Sequence, residues 1–170
     1  MVADSIHILF ALALVAGLLR TRQPTPYLVA ALAATVPDID TFVLSPLRYR
    51  DILTSAFWAH RGITHSLTAL VMVVVAAWTI GQELPAAIAY SSHLLADTAT
   101  GSTMLLAPFS SEAYGLHFSW LLGNVVVGLF SIVLLVGWVL VLTLSDPQER
   151  TAPGPLTAAY SRLLDTVRDW

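Results

Sequence analysis

His60-Arg61-Gly62-Ile63-Thr64-His65-Ser66 is a polar stretch with two histidines, set between hydrophobic runs. Working outward from it, three more polar interruptions fall in or beside apolar segments. They are His7 near the start, Pro37-Asp38-Ile39-Asp40, and His93-Leu94-Leu95-Ala96-Asp97. The apolar runs between them decide the fold class. Only 11% of the residues are charged, less than half of the roughly 25% usual in soluble domains. With a mean hydropathy of +0.75, the composition predicts an integral membrane protein.

Taken in order, the runs predict an all-α, polytopic membrane helical bundle of about five hydrophobic helices with a C-terminal amphipathic helix. The segments are Ser5 to Leu19, Tyr27 to Val36, Thr64 to Ile80, Pro85 to Thr100 and Trp120 to Leu144. The last of these carries no charge and is the clearest span. Asp4, with no Arg before the first run, is the wrong charge for a signal peptide, so that run reads as a retained helix. Pro37 removes a backbone donor and disfavours helix at Val36, so the second helix breaks beside Asp38 and Asp40. Residues 1–145 form the transmembrane metal-site domain, 146–155 a Pro/Gly-containing linker and 156–170 the amphipathic tail. In that tail Leu156, Tyr160, Leu163, Leu164 and Val167 share a helical face. The tail is expected on the membrane surface or on a neighbouring subunit, and a homo-oligomer is left open.

Alternating the five helices in direction tests whether the polar pieces belong together. His7 opens the first helix, Asp38 and Asp40 end the second, His60 and His65 open the third, and His93 and Asp97 lie towards the end of the fourth. All of them fall on one face. Arg20, Arg22, Arg150, Arg162 and Arg168 belong to the opposite face, against Arg48, Arg50 and Arg61 on the site face. The positive-inside rule then puts the site outside the cytoplasm, in a multi-pass protein of the inner (cytoplasmic) membrane.

The residue types point to a metal. His93 and Asp97 are spaced i, i+4 and leave the same helical face. Ionisable groups in membrane segments are costly and mark functional sites. Two close carboxylates, Asp38 and Asp40, repel unless a cation lies between them. His60 and His65, five apart, converge only if His60 lies in the turn, with Thr64 as a candidate helix cap. Arg61 is suited to hold a phosphate or carboxylate. The candidate ligands are His7, Asp38, Asp40, His60, His93 and Asp97. His65, Arg61 and Asp38 are the candidate catalytic groups, with His65 as acid or base. His117 and Glu112 lie on the same face with weaker cases. No Cys is present, which excludes thiolate ligands and disulfides. The mixed nitrogen and oxygen set suits Zn²⁺ and leaves Mn²⁺ or Fe²⁺ open. It has enough ligands for two or more ions bridged by a carboxylate such as Asp97. A net charge of −3 gives no basic footprint for nucleic acid. No G-x-S-x-G or Walker motif is present.

At these residues the chain resembles the membrane-bound, metal-dependent hydrolases of bacteria and archaea. The resemblance rests on His7, Pro37-Asp38-Ile39-Asp40, His60 to Ser66, His93 to Asp97, Thr100-Gly101 and Leu106-Ala107-Pro108-Phe109. It covers roughly the first two thirds of the chain. That family is similar in turn to the zinc-dependent phospholipase C and single-strand nuclease superfamily. The resemblance implies His7, Asp40 or Asp38, His60, His93 and Asp97 as ligands, and more weakly phosphoester hydrolysis. A second H-x-x-x-D helix, which the superfamily's cluster would use, is not evident here. The expected function is therefore hydrolysis of a phosphoester in an amphiphilic, lipid-type substrate by a metal-activated water, with membrane lipids as partners. The alternative is a metal transporter component or a metal-stabilised scaffold. The two differ in whether polar residues continue below the His/Asp layer.

Overall fold

A computed structural model describes residues 4–144 and 154–168, without the side chains of Asp4, Val167 and Arg168. Among these described residues eight α-helices follow in order: α1 (Asp4–Leu19), α2 (Pro24–Thr35), α3 (Ile39–Phe42), α4 (Leu44–Tyr49), α5 (Leu67–Trp78), α6 (Glu83–Thr100), α7 (Trp120–Leu144) and α8 (Pro155–Arg168). Short 3₁₀ turns cover Ala56–Trp58 and Ile63–His65. Among the described residues the only β pairing is an isolated bridge between Thr103 and Tyr114. The chain is all-helical, as its sequence predicts.

The expectation of about five membrane-crossing helices is wrong. Among the described residues only α7 is both long and apolar enough to cross a bilayer. Its 25 residues extend about 37 Å at 1.5 Å per residue. α1 has 16 residues, and α2 and α5 have 12 each. Those lengths come to about 24 and 18 Å, short of a hydrocarbon core of about 30 Å. α6 reaches 18 residues but carries Glu83, Ser91, Ser92, His93 and Asp97. Hydropathy makes each apolar run look like a span, but local chemistry cuts most of them short. Pro37 ends the helical run of α2. α5 begins only at Leu67, because Ser66 Oγ accepts the Ala69 amide at 3.1 Å as its cap. Thr64, the expected cap, turns elsewhere.

α1, α2 and α6 pack against one another, α5 lies against α6, and α7 lies along α1. The shared core is built largely from alanine: Ala11, Ala30, Ala33, Ala34, Ala86 and Ala89, with Val15. Side chains this small let helix backbones approach closely. α1 and α7 run parallel in a steady register. Ile6 abuts Gly128, Phe10 meets Phe130 edge-on at 6.2 Å, and Arg22 Nη2 donates to Leu142 O at 3.5 Å. His7 therefore lies level with Gly128, eight residues, or about 12 Å, along α7 from Trp120. The outer surface of α7 is apolar and open, with Leu121, Leu129, Val133 and Leu140 half or more exposed.

The expected linker lies mostly outside the described residues. α8 sits at the end of the bundle away from the His/Asp residues. The Gly154 amide donates to Leu19 O at 3.2 Å, and Tyr160 donates to Glu83 Oε1 at 2.9 Å. Leu156 packs on the core, while Leu163 is 61% exposed.

A Cβ on Gly128 would lie 3.2 Å from Ile6 Cδ1. Gly128→Ala is therefore expected to be tolerated. Gly128→Leu should lose about 1–3 kcal/mol through overpacking, read as a lower thermal midpoint in detergent. Equal midpoints for both variants would refute the α1–α7 register.

Candidate metal centre

His7 enters from the first turns of α1. Its Nε2 lies 3.4 Å from Asp97 Oδ1, and its ring stacks on that of His93 with centroids 3.8 Å apart. The break after α2 turns Asp38 and Asp40 inward, so both are buried while Ile39 between them is exposed. On α6, His93 and Asp97 point to one side with Nε2 and Oδ2 3.8 Å apart. The segment from His60 to His65 closes over them.

Asp38, His65, His93 and Asp97 form one group. One candidate ligand atom from each lies within 4.8 Å of the others, and all four residues are buried. His65 Nε2 and His93 Nε2 face each other at 3.3 Å. His65 Nε2 is 3.5 Å from Asp38 Oδ1 and 3.3 Å from Asp97 Oδ2. His93 Nε2 is 3.6 Å from Asp38 Oδ2. His93 Nδ1 lies 2.8 Å from Ala34 O. A carbonyl can only accept, so Nδ1 carries the proton and Nε2 offers its lone pair inward.

A second group joins Asp40, His60 and His65. Here the carboxylate already has many partners. Asp40 Oδ1 is 2.9 Å from His60 Nδ1. Asp40 Oδ2 accepts the Arg61 amide at 3.1 Å and the Thr64 hydroxyl at 2.8 Å. Asp40 thus pins the whole 60–65 segment, whereas Asp38 keeps an oxygen free. The sequence treated these two aspartates alike, and their surroundings separate them.

Arg61 reaches over the first group, and its Nη2 donates to Asp97 Oδ1 at 2.7 Å. It adopts φ of 65°, a left-handed conformation uncommon outside glycine. Two backbone bonds hold it there, the one to Asp40 and one from the Met104 amide to Arg61 O at 3.0 Å. Gly101 gives the guanidinium room, because a Cβ at Gly101 would overlap Arg61 Nη1. Gly62 is equally constrained, since a Cβ there would overlap the Phe57 carbonyl.

The electrostatics favour a cation. Three buried carboxylates converge, and Arg61 is their only permanently charged partner among the described ion pairs. Burial alone would raise the Asp40 pKa, but hydrogen bonds from His60, His65 and Thr64 outweigh it and hold the carboxyl ionised. Burial likewise opposes charge on His65, yet Asp38, Asp40 and Asp97 push its pKa up to about 10. The pocket thus draws positive charge onto an imidazole, which a divalent ion could supply instead. Asp38 Oδ1, Asp97 Oδ2 and His7 Nδ1 are buried without a hydrogen bond, and buried polar atoms are rarely left so. The residues present therefore fit a metal ion.

The structure brings the sequence's His and Asp candidates close together, and three supports have no counterpart in the sequence reading. Tyr90 donates its hydroxyl to Thr64 O, the Ala34 carbonyl orients His93, and Gly101 seats Arg61. Of these, only the small residue after α6 left a trace, in the Thr100-Gly101 pair. His117 and Glu112 belong to neither group. His117 is exposed, and Glu112 Oε2 accepts from Tyr114.

Elemental analysis tests the centre directly. Wild-type protein should retain a divalent ion, and His93→Ala and Asp97→Ala should lose it. Asp40→Asn should weaken binding by about 10- to 100-fold, the usual cost of removing a group that orients ligands. A folded His93→Ala protein with full metal content would remove the assignment.

Neither the curated proteins nor the solved structures hold a match to this chain. A family model does match, over residues 1–161, a range that takes in every His and Asp of the centre and the whole of α7. Its description names a membrane location and no reaction. By that match the chain, which carries the bilayer-length apolar helix α7 and a buried His/Asp centre, belongs to the YdjM inner membrane protein family.

Proposed function

We propose that this protein is a membrane-held, metal-dependent hydrolase that cleaves a phosphoester of an amphiphilic substrate. The observation that carries the reading is the buried convergence of Asp38, His65, His93 and Asp97 with an arginine at its rim. One ion in this group is what the ligand atoms support, with His7 beside it. A second ion at Asp40 and His60 would have to share His65. Zn²⁺ suits the nitrogen and oxygen donors, and Mn²⁺ or Fe²⁺ would also fit.

A bound divalent ion supplies an activated water and offsets charge on a phosphoryl group. The protein's own groups do the rest. Arg61 is 13% exposed, and its buried Nε has no hydrogen-bond partner. Its guanidinium is thus placed to hold a phosphate oxygen. In the reaction a P–O bond forms to water, the bond from phosphorus to the ester oxygen breaks, and the departing alcohol takes a proton. His65, the sequence's choice for moving protons, is 0% exposed and faces three carboxylates, a position that supports holding an ion. His60, 27% exposed at the rim, is better placed to move a proton.

A second reading, a metal-stabilised scaffold, is favoured by closure. His7, His65, His93 and Asp97 are all 1% exposed or less. A transport path is not favoured, because the shared core is made of Ala11, Val15, Ala30, Ala33, Ala86 and Ala89 with no polar continuation among them.

Hydrolysis of phosphatidic acid and isoprenoid phosphates by wild-type, Asp97→Ala and Arg61→Ala protein separates the readings. The hydrolase reading expects no turnover in Asp97→Ala. In Arg61→Ala it expects kcat/KM to fall by about 100-fold or more with metal retained. Metal loss that lowers the melting point, with no lipid phosphate hydrolysed by wild type, would instead support the scaffold.

The site end is proposed to face away from the cytoplasm, since Arg20 and Arg22 lie at the far end of the bundle and Arg150, Arg162 and Arg168 follow α7. The chain has no cysteine, so a single Ser111→Cys change reports cleanly. An impermeant maleimide should label it in intact cells, and labelling only after lysis would reverse the orientation.

A further inference from the structure

α6 and α7 part near the metal centre and leave an open groove of about 250 Å³. Ala96, Ala99 and Thr100 form one wall, and Leu122, Gly123 and Val126 the other. Phe118 roofs the upper end, where its amide donates to Ala99 O at 2.9 Å. The polar atoms nearby are turned away from the space. Thr100 Oγ1 donates to Ala96 O at 2.9 Å, and Ser119 Oγ accepts the Leu122 amide at 3.4 Å.

Two features say what belongs there. Leu122 and Val126 are 61% and 54% exposed on α7, the one helix among the described residues able to cross a bilayer, so the groove opens onto hydrocarbon. Its α6 wall also borders the charged centre. Ala96 precedes Asp97, and Thr100 precedes Gly101, against which the Arg61 guanidinium lies. An occupant reaching from groove to centre must have a hydrocarbon chain at one end and an anionic group that Arg61 can pair with at the other.

We infer that the α6–α7 groove is the binding site for the alkyl chain of a phosphate-bearing membrane lipid whose headgroup lies at Arg61. This rests on the hydrolase reading for the headgroup, and it adds where the chain lies and what selects it. The small side chains at Ala96, Ala99 and Gly123 set the groove's width. A Cβ at Gly123 would already lie 2.6 Å from the Thr100 methyl. The groove is open along its length on the α7 side, so a lipid would approach sideways from the bilayer, without leaving it.

The test is photolabelling of the full-length protein in vesicles of zwitterionic lipid, doped with phosphatidic acid bearing a diazirine on its acyl chain. Labels should concentrate on residues 96–100 and 118–127. Ala99→Phe, which fills the groove, should cut that labelling by about tenfold with metal content unchanged. Val133→Phe, on the open face of α7 away from the groove, should leave it intact. If Ala99→Phe does not fold, Val126→Trp narrows the same space from the other wall and carries the same expectation.

Labels spread evenly along α7, or unaffected by either filling variant, would overturn the proposal and leave only lipids surrounding the helix. So would crosslinks joining two copies of the chain at these residues, which would make the groove a protein interface. Labelling needs no turnover, so the two readings fail separately. Groove labelling with no lipid phosphate hydrolysed would sink the hydrolase and keep the lipid site. Hydrolysis with evenly spread labels would do the reverse.

Discussion

Three carboxylates, Asp38, Asp40 and Asp97, are buried within one small bundle of short helices. That arrangement is costly unless opposite charge and hydrogen bonds accompany it. Arg61 supplies one positive charge, and it must hold a left-handed backbone to do so. Asp40 spends its oxygens on the 60–65 segment that carries Arg61. The remaining demand falls on His65 and His93, whose inward nitrogens stand between Asp38 and Asp97. A divalent cation held there would offset the two negative charges that Arg61 leaves. The rest of the architecture keeps these groups together.

The alanine core is one such device. Ala30, Ala33 and Ala34 on α2, with Ala86 and Ala89 on α6, bring two backbones close enough for the Ala34 carbonyl to touch His93. A larger residue at position 34 would push α2 away and free the imidazole to rotate. Pro37 is the second device. By ending α2 it turns both aspartates inward, which a continuous helix would not do for residues two apart. Packing and site geometry here are consequences of the same residue choices.

Much of the centre was legible because ionisable residues stand out against an apolar background. His7, Asp38, Asp40, His60, His65, His93 and Asp97 were visible in the chain, and alternating helix direction brought them to one end. That step needs the helices to reverse and does not need them to cross a membrane. This is why it survived the loss of the five-span picture. The number of spans was not legible, because hydropathy reports apolar character and is blind to length once a Ser cap or a proline shortens the helix. α5 lost its first turn to Ser66 in this way. The division of labour between Asp38 and Asp40 was hidden too. It depends on which way Thr64 and the Arg61 amide point, and nothing in the spacing of residues encodes that.

The register of α1 on α7 adds a constraint that neither helix carries alone. His7 lies level with Gly128, about 12 Å from the Trp120 end of a helix about 37 Å long. The charged centre therefore sits beside the apolar stretch of α7. His7, Asp40 and Asp97 are buried at that level, so the Coulombic interactions among the aspartates and Arg61 are strong there. The same position explains why α1, α2, α5 and α6 can be short. They need only enclose the centre and present Leu28, Leu32, Val71 and Val75 outward, while among the described residues only α7 has the length and apolar character to cross a bilayer. The bilayer-length apolar surface and the buried His/Asp cluster thus belong to different helices, and the groove between α6 and α7 lies between them.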